Sequence, residues 1–202
     1  LHLTHPNGTK LTVETKGRAA FVDDGVIDEE DVERGQLWAE LPGGTVQGAP
    51  DGTLVWALSQ TAGKGRMGRR WRSAPGGLYA SWLLRPKFAP ARLGELSLAC
   101  GEALAAALRD FGATTTVKPP NDVFALCPDG KARKLCGILC EAAGDSKRLH
   151  WLIIGFGVNV NNAPPLKRST FLRLLVQRRV SVPSVLRAAM SRLSRARRAG
   201  NF

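Results

Sequence analysis

Two hundred and two residues suffice for one domain with a real core, and two full domains are not expected at that length. With 44% apolar and 23% charged residues the chain reads as folded and globular, and its longest apolar run, Leu149 to Val160, is broken by glycines and falls short of the ~20 residues that span a bilayer. The net charge of +12 resides in the C-terminal part, because all 17 acidic residues precede position 146 and balance the Lys and Arg there, whereas residues 146–202 hold no acid.

The first 50 residues carry weak signals. Asp23, Asp24, Asp28, Glu29, Glu30, Asp31 and Glu33 crowd one acidic stretch, and Leu41 to Gly52 is rich in Gly and Pro, so loops or a weak helix are expected. From Thr53 the pattern sharpens. Thr53 to Ser59 and Leu78 to Leu84 read as buried strands on either side of a Gly- and Arg-rich loop. Between Pro90 and Phe111, Leu93, Leu96, Cys100, Ala103, Leu104, Ala107 and Leu108 recur at three and four, the mark of an amphipathic helix closed by Gly112. Four strands follow at Thr114 to Lys118, Asp122 to Leu126, Lys134 to Glu141 and Leu149 to Gly157, with a Cys127-Pro-Asp-Gly130 turn after the second. Phe171, Leu172 and Leu175, then Leu186, Met190 and Leu193 behind Pro183, predict helical segments at the end. The expected class is α+β, a mixed central β-sheet flanked by helices.

Cys100, Cys127, Cys136 and Cys140 form no CxxC pair and have no His at ligand spacing, which argues against zinc and for reduced core thiols of a cytoplasmic protein.

Gly63-Lys64-Gly65-Arg66-Met67-Gly68 matches a dinucleotide-binding G-x-G-x-x-G, but the chain runs on into Arg69-Arg70-Trp71-Arg72, a poor helix start, and no acid lies near residue 88. Five cations and three glycines within ten residues instead describe an anion-binding loop, in which glycine lets backbone N–H groups approach the ligand. Lys118-Pro-Pro-Asn-Asp122, Arg133-Lys134 and Gly155-Phe-Gly-Val-Asn159 sit at strand ends and supply Lys, Asn, Asp and Gly, as a nucleotide and an acid substrate require.

In this order, Gln60 to Trp71, Lys118 to Asp122, Arg133 to Leu139 and Gly155 to Asn159 resemble the signature loop, the Lys-Trp-Pro-Asn-Asp motif, the Arg-Lys-Leu-Ala-Gly-Ile-Leu strand and the Gly-x-Gly-Ile-Asn turn of biotin protein ligases. The resemblance implies a catalytic domain like that of class II aminoacyl-tRNA synthetases over 1–165, its first 50 residues acidic and loop-rich, with a basic helical segment, 166–202, packed on it. It implies a reaction in which biotin's carboxylate attacks MgATP to give biotinyl-AMP, and a lysine of a carboxylase's biotin carboxyl carrier domain then takes the biotinyl group. By the same resemblance Lys134 and Arg66 are catalytic, and Gln60, Gly63, Lys64, Gly65, Arg66, Lys134 and Gly137 bind biotin. Arg66, Arg69, Trp71, Lys118, Asn121, Asp122 and Asn159 bind ATP, and Asp122 is the candidate Mg²⁺ ligand. Met67 replaces a frequent arginine and Pro119 a tryptophan, and Gly35 to Glu40 shows no Ser-Thr-Asn element. Three other readings stand beside this one: an inactive ligase-like protein, a lipoate or octanoate transferase of the same fold, and a basic nucleic-acid-binding module. The last is disfavoured by the scarcity of stacking aromatics.

Overall fold

The structure, a computed structural model, describes residues 51–200 apart from 61, 87, 89, 165 and 166, together with the backbone of 2–4, 10–12 and 17–21. Short strands β1 (His2–Thr4) and β2 (Lys10–Thr12) pair antiparallel, and β3 (Gly17–Phe21) pairs with β4 (Thr53–Ala57). Three strands therefore occupy a region where weak signals predicted only loops or a helix. The acidic stretch 23–33 and residues 35–40 lie outside the described residues.

After β4 come β5 (Leu78–Leu84), helix α1 (Leu93–Arg109), β6 (Thr115–Lys118), β7 (Asp122–Leu126), β8 (Ala132–Gly144) and β9 (Leu149–Val158). A single-turn helix α2 (Leu172–Val176) and a long helix α3 (Val182–Arg198) end the described chain. The class is α+β, as expected. Seven strands form one sheet in the order β3-β4-β5-β9-β8-β7-β6, and all its ladders are antiparallel rather than mixed. The reason lies in the connections. On the β9-β8-β7-β6 side each pair of neighbours is joined by a short turn such as Cys127–Gly130, where the Gly130 N–H donates to the Cys127 carbonyl at 2.9 Å, and parallel neighbours would need long crossovers.

Strand alternation sorts the apolar residues into two layers. Trp82, Ile154, Phe156, Cys136 and Ile138 join Leu96, Cys100, Leu104 and Leu108 of α1 and Leu186, Met190 and Leu193 of α3 in the main core. Val55, Leu83 and Ile153 are buried on the opposite face of the sheet. The apolar run Trp151–Ile154 of the central strand β9 is thus buried on both faces of the sheet. Helix α3 begins as its sequence directs: the Ser181 hydroxyl accepts the Ser184 N–H at 3.3 Å and Pro183 sits in the first turn.

Candidate active site

Residues Gln60–Ser73 fold back as a tight ladder. The Gln60 N–H donates to the Ser73 carbonyl at 3.1 Å, Trp71 to Gly63 at 2.8 Å and Gly65 to Arg69 at 2.6 Å, around a 3₁₀ turn at Arg66–Gly68. The Ser73 hydroxyl donates to Gln60 Oε1 at 2.6 Å. Gly63 is required by this crossing of strands, since a Cβ there would lie 2.5 Å from the Trp71 carbonyl oxygen and 2.7 Å from Ser73 Oγ. At the tip Met67 is 89% exposed with φ 57°, and Arg66, Arg69 and Arg70 stand around it on the surface.

This folded loop lays Trp71 across the sheet. Gly137 of β8 and Gly157 of β9 are directly paired, and a Cβ on either would meet the indole, 2.9 Å from Cζ3 and 2.5 Å from Nε1. The indole N–H is buried and makes no hydrogen bond. The Lys134 ammonium lies 5.1 Å from the Trp71 ring centroid, a cation–π contact, and 2.7 Å from Asp122 Oδ1, in an ion pair whose alignment falls short of a hydrogen bond.

The turn Lys118–Asn121, with its cis Pro119–Pro120 peptide, is held from two sides. Ser97 of α1 donates to the Pro120 carbonyl at 2.9 Å, and Asn121 binds Ile138 twice, its amide donating at 2.7 Å and its carbonyl accepting at 2.9 Å. Arg66 reaches over from the loop to Asn121 Oδ1 at 3.4 Å. Lys134 is itself fixed by the segment after β9: its N–H donates to Arg168 at 3.0 Å and its carbonyl accepts from Thr170 at 2.9 Å. This short parallel bridge brings Ser169 beside it.

The result is a cavity of about 310 Å³ whose wall includes Gln60, Lys64, Gly65, Arg66, Arg69, Trp71, Asn121, Asp122, Lys134 and Gly137. Three residues proposed from the sequence do not face it. Gly63 lies inside the loop, and Lys118 sits on the outer strand with its ammonium 5.0 Å from the Phe124 ring centroid. Asn159 is buried behind the wall, where its amide donates to the Thr170 carbonyl at 3.1 Å and its Oδ1 accepts from Asn162 at 3.1 Å. Its work is to tie the Ser169 segment to β9, so an Asn after a strand here serves the backbone. Ser81, Glu141 and Ser169 line the cavity and were not singled out, and Gly155, named within its strand-end motif, lines it too. Ser81, Glu141 and Gly155 were legible by counting in twos from Tyr79, Gly137 and Gly157, whereas the long-range bridge to Ser169 has no local signal.

Among the described residues no group of three His, Cys, Asp or Glu side chains could hold a metal ion, so Asp122 is at most one ligand. That suits Mg²⁺, which one carboxylate can hold when substrate phosphates supply further oxygens. No helix among the described residues is long and apolar enough to cross a membrane.

A glycine-floored slot with cations at one end is a site for a small acid beside a phosphate. Residues 44–159, more than half of the chain, match the model of the biotin/lipoate A/B protein ligase family, and the chain belongs to that family. It is 39% identical over 118 residues to the bifunctional ligase/repressor BirA of Bacillus subtilis (strain 168), covering 57% of this chain and 35% of that one. It is 34% identical over 113 residues to the biotin–[acetyl-CoA-carboxylase] ligase of Paracoccus denitrificans, covering 54% and 45%. Among solved structures, the biotin protein ligase from Aquifex aeolicus in complex with biotin and ATP superposes with a TM-score of 0.61 at 30% identity, over 81% of this chain and 64% of that one. The chain spans less than half the length of these two curated relatives.

Proposed function

We propose that this chain is the catalytic part of a biotin protein ligase, which joins biotin to ATP as biotinyl-AMP and passes the biotinyl group to a lysine of a biotin carboxyl carrier domain. The observation that carries the reading is the convergence of Lys134, Arg66 and the Asn121-Asp122 turn at one end of a slot floored by Gly137, Gly155 and Gly157. Bringing a carboxylate to a triphosphate sets like charges together, and fixed cations offset both that repulsion and the charge that develops in transfer. Lys134, held from both sides on β8, is the rigid one; it is set to bridge the biotin carboxylate and the α-phosphate. Arg66, on the loop, holds the phosphate of the finished adenylate. Trp71 covers the adenine, and Asp122 binds Mg²⁺, which neutralises phosphate charge when bound. The catalytic unit extends over 1–165, with 166–202 as a basic helical segment packed on it, and the reaction belongs to the cytoplasm, where ATP and free thiols coexist.

The test supplies biotin, MgATP and an isolated carrier domain, and follows pyrophosphate release and biotin attachment together. Both signals are expected with biotin. Release with lipoate or octanoate and not with biotin would move the chain to the other branch of its family.

A further inference from the structure

Two of the four cysteines stand together, on the core side of the sheet and away from the cavity. Cys100 lies on the face of α1 that packs against the sheet. Cys140 lies on β8, where strand alternation turns it to the same side as Cys136 and Ile138. Helix and strand approach closely here because position 101 of α1 is a glycine: a Cβ on it would be 3.1 Å from Val117 Cγ1 and 3.9 Å from Ile138 Cδ1. The approach brings the two thiols into contact, and Cys100 donates a hydrogen bond to the Cys140 sulfur. Cys127 and Cys136 instead donate to backbone carbonyls, those of Ala125 and Gly137, at 3.8 Å.

The two thiols are not equivalent. Cys100 is fully buried, and the proton it shares with Cys140, together with that burial, pushes it well above the ordinary thiol range. Cys140 is only half-buried. It follows the last pair of β8 with β7, Gly137 with Asp122, so among the described strands β8 has no neighbour on that side at Cys140. The hydrogen bond from Cys100 holds the Cys140 thiol below its ordinary range, against burial; the Ser97 hydroxyl and the Arg66 guanidinium act in the same direction, and the Glu141 carboxylate opposes them. A partly exposed thiol biased towards its anion, with a second thiol in contact, is the arrangement that reacts with an oxidant and then closes on itself.

We infer that Cys140 is a site of oxidative modification whose reagent is a small hydroperoxide, and that Cys100 is the thiol that resolves it to a disulfide between β8 and α1. The Cys140 thiolate attacks one peroxide oxygen; the S–O bond forms, the O–O bond breaks, and the leaving hydroxide takes up a proton as water. Cys140 is then a sulfenic acid, oxidised by the two electrons that reduced the peroxide. The Cys100 sulfur attacks the Cys140 sulfur, the S–S bond forms as the S–O bond breaks, and the second hydroxide leaves as water with the Cys100 proton. Two thiols and one hydrogen peroxide thus become one disulfide and two waters, and a dithiol reductant reverses the change. The inference stands apart from the biotin reading, because neither cysteine lines the cavity.

The experiment exposes the reduced chain to hydrogen peroxide at neutral pH, blocks the remaining thiols with N-ethylmaleimide and maps the unreduced tryptic peptides by mass spectrometry. Cys100 falls in the peptide Leu93–Arg109, and Cys140 falls with Cys136 in the peptide 135–147. The unmodified chain should join these two peptides with the loss of two hydrogens, dithiothreitol should separate them, and Cys136→Ala should join them still. Cys100→Ala should give no joined peptide and should carry Cys140 as a sulfenic acid that dimedone traps. Cys140→Ala should leave Cys100 a thiol. Should a substitution in the core prevent folding, the unmodified chain carries a second measurement: brief alkylation with iodoacetamide at pH 7 should label Cys140 at least about tenfold faster than Cys136. A bridge through Cys136, or Cys140 driven on to the sulfinic acid while Cys100 stays free, would overturn the pairing. Equal labelling of Cys140 and Cys136 would overturn the reactive site.

Discussion

Trp71 and the two glycines beneath it form a single contact, and its parts can be separated by substitution. Gly157→Ala puts a methyl where the indole Nε1 now lies, so the ring must lift while the strand, whose backbone Ala tolerates, stays paired. A stacking contact of this kind contributes about 0.5–1.5 kcal/mol, so KM for ATP should rise roughly two- to tenfold with the thermal midpoint nearly unchanged. Lys134→Ala removes a different kind of group. A charge used mainly in the transition state affects rate more than affinity. Pyrophosphate release should therefore fall roughly 10²–10³-fold while biotin binding measured by calorimetry changes by less than about tenfold. Full release from Lys134→Ala would refute the assignment. Cys136, by contrast, is a filler: burial pushes it up to about 12, so it should resist alkylation at pH 8 in the folded chain.

At the scale of elements, the signature loop is a ladder whose tip is strained at Met67 and whose hydrogen bonds are nearly all its own. Ligand held between Arg66 and Lys134 adds the missing ties to the sheet. Tryptic cleavage within Lys64 to Arg72 should slow with biotin and ATP, by up to about a hundredfold at a concentration about a hundred times Kd. The turn between β7 and β8 gives a pH signature. The guanidinium of Arg133 forks onto Asp129 and, with the Lys131 N–H, holds its carboxyl down to about 2. A depressed carboxyl stabilises the fold above its ordinary range near 3.8 and loses that contribution as pH falls towards 2. The midpoint difference between the unmodified chain and Asp129→Asn should therefore be present at pH 7 and vanish in acid. Periodicity made β5, β7, β9 and both long helices legible, because each carries its own apolar stripe. The strands before residue 22 were not legible, because β3 is a strand by virtue of its pairing with β4, which no run such as Gly17–Phe21 announces. Lys118 and Asn159 lie off the cavity wall for a related reason: a motif says which residues share a loop and not which way each side chain turns.

At the scale of the molecule, the C-terminal part carries the excess positive charge of the chain, and the partners of its last helix show how part of that charge is used. Leu172, Val185, Leu186, Met190 and Leu193 are at most 1% exposed, and each contributes about 1.5–3 kcal/mol on burial, so truncation after Asn162 should leave a chain that does not fold. The arginines of α3 extend the same packing outward. Arg192 forks onto Asp110 at the end of α1 at 2.8 and 2.9 Å, and Arg197 joins Asp51 before β4 at 2.7 Å with its guanidinium 5.7 Å from the Trp82 ring centroid. From the other side Arg92, before α1, donates to the Gly200 carbonyl at 3.0 Å. Two arginines of a segment without acids thus find their carboxylate partners earlier in the chain. Each pair is partly exposed and worth up to about 1 kcal/mol, which in a chain of this size shifts the midpoint by about 2–4 °C. Arg192→Ser and Arg197→Ser should each lower the thermal midpoint on that scale, Arg195→Ser, an exposed position, should not, and biotin attachment per folded molecule should be the same in all three. Loss of attachment at an unchanged midpoint would instead make the cations of this helix part of the machinery that receives the carrier domain.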